Sequence, residues 1–185
     1  MLVSPLMDPI LSFSASITTA NRKNLSKSFQ ILVKSISLSI IISLLITAII
    51  PTYEIPQEII NRSNPSIIDL LIALAAGLAA IYSIVIKNIS TIAGVGVSVS
   101  LMPPLAVIGY GLAIGDFQLA YGAGLLFLTN LIAIIFIGSF SLFLFGFKAR
   151  SKANQDLAKK NTFLSAIILI FLAISLSSSF IQINK

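Results

Sequence analysis

Long apolar runs separated by short polar ones make up this chain. No Asp, Glu, Lys or Arg occurs in Ser35–Tyr53 (19 residues), Leu70–Ile86 (17), Asn88–Gly115 (28), Phe117–Phe147 (31) or Asn161–Asn184 (24). A sixth run, Met1–Ala20, is apolar or small throughout apart from Asp8. A bilayer core about 30 Å thick takes about 20 mainly apolar residues as a helix. The pattern therefore predicts helices near 2–20, 28–50, 67–86, 89–114, 118–146 and 162–182, in one all-α transmembrane domain spanning 1–185. Barrel strands are excluded, because their lipid-facing and lumen-facing residues alternate and these runs do not.

Composition reinforces that picture. Of 185 residues 57 % are apolar and only 10 % charged, against about 25 % charged in an ordinary soluble domain. Mean hydropathy is +1.03. With no Cys and no His, disulfide frameworks, the usual zinc sites and Ser-His or Cys-His catalysis all drop out. No Gly-rich loop ending in Lys-Ser/Thr is present for nucleotide phosphates. No cofactor, metal or catalytic residue is assigned, and the chain is not read as an enzyme.

The net charge of +6 lies mostly in two clusters beside apolar runs, which points to membrane loops and not to nucleic acid. Taken in order, the odd connections carry nine basic residues and the even ones only Arg62. Six crossings with basic loops 21–27 and 148–160 cytoplasmic fit this alternation. Lys34 is close enough to an end of its run to snorkel, and Asp69 is placed to cap a helix beside Ser66.

Sliding the chain by 95 residues lays Leu6-Met7-Asp8-Pro9 on Leu101-Met102-Pro103-Pro104, Asn21 on Asp116, and span 28–50 on 123–145. Each half (1–90 and 91–185) holds three predicted crossings, so the second half enters from the opposite face. Inverted three-helix repeats with matching interrupted helices are a transporter architecture.

The interruptions are predicted at Ser4–Pro9 and Ser98–Pro104. Proline removes an amide donor and crowds the carbonyl one turn back, and carbonyls freed at membrane depth need partners in protein or in a wet cavity. Ser4, Pro5, Asp8, Pro9, Ser98, Ser100, Pro103 and Pro104 are the resulting substrate or ion candidates; the competing reading is a pair of ordinary proline kinks. Asp8, the one carboxylate within an apolar run away from its ends, is either a functional acid or a solvated residue at an interface. Asn130, deep in the span 117–147, is either interhelical glue or a substrate contact. Ala73, Ala76, Gly77 and Ala80 form small-residue ridges for close helix packing.

The segments MLVSPLMDPI, DLLIALAAGLAAIYS, VSVSLMPPLAVIGYGLAIGD and AYGAGLLFLTNLIAIIFIGSF resemble the prokaryotic membrane proteins grouped as domain of unknown function 389. The resemblance runs from Met1 to about Phe147 and implies a multi-spanning protein of a prokaryotic cell membrane, with no established activity. Family members carry more helix ahead of the Ser-Pro-Leu-Met motif, so the expectation is that Met1 marks a mis-called start or a truncated gene. Asp8 stands where the family implies a small residue such as Gly.

Two functions are carried forward. The first is a small-solute or ion transporter or channel, a homo-oligomer held by its small-residue faces, with its site at the two interruptions. The second is a non-transporting membrane scaffold or regulatory subunit.

Overall fold

A computed structural model describes residues 6–50, 55–86, 91–147, 149 and 152–183, with backbone alone at 91–93, 152–153 and 172–183. The described elements are all α-helices: α1 Met7–Thr19, α2 Arg22–Ile49, α3 Gln57–Asn61, α4 Ile67–Val85, α5 Thr91–Ile114, α6 Phe117–Leu144 and α7 Lys152–Ile183. Four of them (α2, α4, α5 and α6) are long and apolar enough to cross a membrane. Over its 13 described residues α1 rises only about 20 Å.

Two expected loops are corrected. The basic segment 21–27 is the first turns of α2: the Asn21 side chain accepts the Asn24 amide at 3.1 Å, and nothing after it breaks a helix. Lys152–Lys160 likewise belongs to α7, since it holds Ala, Leu, Gln and Lys and neither Gly nor Pro. The short helix α3, after Pro56, was not anticipated. At α4 the capping role expected of Asp69 is present. The Ser66 hydroxyl accepts the Asp69 amide at 3.2 Å, and the Asp69 carboxylate accepts the Ser66 amide at 3.1 Å.

Two tight turns fold neighbouring helices back on each other, and they share a geometry. After α1, Ala20 takes a left-handed φ of 50°, the Asn21 amide bonds the Ser16 carbonyl at 3.0 Å, and Asn21 caps α2. After α5, Gly115 takes a φ of 78°, the Asp116 amide bonds the Gly111 carbonyl at 2.9 Å, and Asp116 accepts the Leu119 amide at 3.0 Å. Each feature of the first turn recurs 95 residues later, and both turns launch helices of 28 residues.

Packing builds a ring in which α1 and α5 each touch both α2 and α6, with α4 and α7 laid against α6. Helix directions follow from paired contacts. The Ser14 hydroxyl reaches the Ile135 carbonyl at 3.4 Å and the Thr18 hydroxyl the Ser139 carbonyl at 3.1 Å. One turn along α1 thus matches one turn along α6, and the two run parallel. Because α5 folds back on α6, it runs against α1.

The ring also crosses at related registers. A Cβ on Gly109 of α5 would stand 2.6 Å from both the Ile40 carbonyl oxygen and Ser43 Cβ on α2. On the opposite side of the ring, a Cβ on Gly138 of α6 would stand 2.8 Å from the Ser14 hydroxyl of α1. These are the same two positions 95 residues apart, with glycine and serine exchanged.

The small-residue ridge of α4 is used inside the chain. Ala73 and Ala80 are fully buried, a Cβ on Gly77 would lie 2.5 Å from Ile137 Cγ2, and one on Gly96 of α5 would lie 3.3 Å from Ala76. The close packing expected of this ridge is thus made within the chain, against α5 and α6.

Candidate functional site

Helix α5 runs continuously through Pro103 and Pro104. The expected interruption is therefore a gap in hydrogen bonding and not in backbone path. Lacking amide hydrogens, Pro103 and Pro104 leave the Val99 and Ser100 carbonyls without their helical donors. The gap is tolerated because a neighbour fills part of it: the Asn130 side-chain amide, on α6, donates to the Ser100 carbonyl at 2.9 Å. Asn130 is 3 % exposed and Pro104 is fully buried, so this bond is made away from any solvent.

The geometry also fixes which end of the amide is free. A carbonyl accepts only from the NH2 end, so Asn130 Oδ1 points away from Ser100. Among the described residues it has no hydrogen-bond partner. A buried unpaired acceptor costs about 1–3 kcal/mol, and such groups concentrate where a ligand, ion or water completes the site.

The candidate serines are held locally. Ser98 donates to the Gly94 carbonyl at 2.9 Å and Ser100 to the Gly96 carbonyl at 3.0 Å, each one turn back along α5. Both hydroxyl protons are therefore committed within α5. Val99 is half exposed, whereas the next residue, Ser100, is buried.

At the start of α1, Pro9 is the third residue of the described helix, where a missing amide hydrogen costs no bond within it. Asp8 is exposed in that first turn, where a carboxylate favours the positive end of the helix dipole. Ser4 and Pro5 lie outside the described residues. The two proline motifs still approach each other, since a Cβ on Gly94 would lie 2.9 Å from Met7 Sδ. Leu6, Ile10, Val97 and Leu101 are all buried in the same apolar cluster. The structure thus brings Ser100 and Asn130 into contact at the carbonyl that Pro104 leaves without a helical donor, and sets Asp8, exposed, and Pro9, half-buried, in the first turn of α1.

Sequence reasoning passed over a second polar seam. Ser14 and Thr18 on α1 face Ser139 on α6, all three buried, with Ser139 donating to the Ile135 carbonyl at 2.8 Å and Thr18 to the Ser14 carbonyl at 3.0 Å. The signal was available in the four-residue spacings of Ser14 with Thr18 and Ile135 with Ser139, which stack on one helix face.

The family model for "Domain of unknown function (DUF389)" matches residues 1–136. An uncharacterised protein of the archaeon Methanocaldococcus jannaschii is 32 % identical over 177 residues, covering 95 % of this chain and 55 % of the relative. The chain thus spans about half the length of the curated relative that it matches. No solved structure matches it.

Proposed function

Since this chain belongs to the DUF389 family, whose description names no activity, we propose from its own geometry that it is a small-solute or ion transporter or channel of a prokaryotic membrane. One observation carries the reading: Asn130 Oδ1, buried and unpaired, beside the carbonyls that Pro103 and Pro104 deprive of helical donors. This cluster offers acceptor oxygens and, as a donor, at most the second Asn130 N–H. It suits a cation, or a solute that donates hydrogen bonds, and it disfavours an anion.

Inverted repeats support the same reading. The matching turns, the two glycine–serine crossings and the opposed directions of α1 and α5 are what a pseudo-two-fold axis in the membrane plane produces. Under it, α1 with α2 answers α5 with α6, while α4 and α7 depart from the symmetry by both packing on α6; the proposal has six crossings with the basic segments 21–27 and 148–160 cytoplasmic. A homo-oligomer remains part of the proposal, on surfaces other than the α4 ridge. No enzymatic step is assigned.

The alternative, a non-transporting scaffold or regulatory subunit, draws on the Asn130–Ser100 bond itself, which ties α6 to α5 as structural glue. Flux measurements on the purified chain in proteoliposomes separate the two, using a panel of monovalent cations, divalent cations and small polar solutes. Transport predicts movement of one class, reduced at least about tenfold, or about 1.4 kcal/mol in barrier, by Asn130→Ala and retained in part by Asn130→Gln, with helical content unchanged. No flux across the panel, together with a stably co-purifying partner, establishes the scaffold.

A further inference from the structure

Two adjoining cavities lie where α7 meets α6 and the end of α1. The larger, about 300 Å³, is lined by Phe136, Phe140, Phe143, Phe163, Ala166 and Thr162, with Lys159 at one end. The smaller, about 130 Å³, is lined by Thr18, Gln155, Ala149 and Ala158, and shares Phe143 and Lys159 with the first. An aromatic trough therefore opens at its Lys159 end into a more polar compartment. Within the trough the Phe136 and Phe140 rings stack at 6.0 Å.

The depth of each part follows from the helices. Phe143 and Lys159 line both cavities, whereas Phe136 on α6 and Ala166 on α7 line only the larger, so α6 and α7 are antiparallel here. Seven residues separate the two ends on each helix, a rise of about 10 Å. The chain is charge-free from Asn161 to Asn184, whereas Lys152, Asp156, Lys159 and Lys160 precede it. The Lys159 end thus coincides with the edge of the apolar layer, and the aromatic end reaches into it.

We propose that this groove is a binding site for an anionic phospholipid, with its phosphate at Lys159 and the upper part of one acyl chain along the four phenylalanines. Charge complementarity selects the occupant. Among the described residues no carboxylate lies within ion-pair distance of Lys159, and the segment leading into α7 adds Lys148, Arg150 and Lys152 in sequence. A soluble anion satisfies the lysine and leaves the trough uncovered. A neutral lipid or an apolar helix does the reverse. Only an amphiphile with a negative head meets both, and anionic leaflets are attracted by basic segments beside membrane helices. The inference stands independently of the transport reading.

The test uses the full chain in nanodiscs of equal phosphatidylglycerol and phosphatidylcholine, extracted into mild detergent and weighed by native mass spectrometry. Phosphatidylglycerol is expected to remain bound in preference to phosphatidylcholine. Lys159→Ala is expected to cut its retention about fivefold, the scale of one lysine facing an anionic surface. Ala166→Phe, which fills the deep end of the trough, is expected to cut it similarly, while Lys23→Ala on α2 leaves it unchanged. Equal retention of the two lipids, or no loss in Lys159→Ala, overturns the proposal. So does an equal loss in Lys23→Ala, which reduces the effect to overall charge. Displacement by excess inorganic phosphate overturns it in favour of a soluble anion.

Discussion

Helices α2 and α6 begin as near twins. Both have 28 residues, both start from an Asn or Asp cap after a residue of positive φ, and both cross a partner through a glycine–serine contact at the same register. Yet 61 % of the most apolar stretch of α6 is buried, against 6 % for α2. The difference comes from the third helix of each half. Both α4 and α7 settle on α6, so α6 becomes the axis of the molecule while Ile41, Ile42, Leu45 and Ile46 of α2 face outward. In water such a face would demand a cover. Lipid tails are as apolar as the side chains themselves, so in a bilayer apolarity does not decide which helix goes inside. Close contact and polar pairing decide it instead.

The largest test of that contrast is steric. Gly138→Leu is expected to lower the stability of the folded protein by about 3 kcal/mol, because the new side chain must displace Ser14. Ile42→Ala, on the open face of α2, is expected to change it by less than about 0.5 kcal/mol. Thermal unfolding in a fixed detergent reads both, and equal effects would end the distinction between core and lipid-facing helix.

A smaller effect tests polar pairing. Asn130→Leu is expected to cost about 2 kcal/mol by leaving the Ser100 carbonyl unpaired. In a Pro104→Ala background the helix regains an amide donor for that carbonyl, so the same substitution should cost about 1 kcal/mol less. A double-mutant cycle measures this coupling. Simple additivity would mean that the proline and the amide are unrelated.

The smallest effect tests the likeness of the two turns. Ala20→Gly is expected to stabilise by up to about 1 kcal/mol and Gly115→Ala to destabilise by a similar amount, since both positions have positive φ and only one has glycine. Shifts of the same sign at the two sites would mean that the turns are not equivalent.

Much of this was legible from residues alone. Charge-free runs located α4, α5 and α6 to within a few residues, and Asn21 and Asp116 announced the two turns before any coordinates. Asp69 was rightly read as a cap because its chemistry is local: Ser66 sits three residues away. Less legible were the consequences of Pro103 and Pro104. Sequence marks a missing donor, but whether the helix breaks depends on whether another helix supplies one. Asn130 is 30 residues away from Ser100, and no local rule connects them. Asp8 was left between two readings for a related reason, since a carboxylate in an apolar run is deep or exposed according to where its helix begins.

What this amino-acid sequence determined by itself is the run of long apolar helices, the cap at Ser66 and Asp69 and the membrane as solvent, because each follows from hydrogen-bond closure and apolar length over a few neighbouring residues. What the tertiary structure alone decided is which of those helices lies at the centre, which carbonyl meets which amide, and where a charged end opens onto an aromatic groove. Those outcomes depend on shape and polar complementarity between segments far apart in the chain, and in lipid hydrophobicity cannot choose among them.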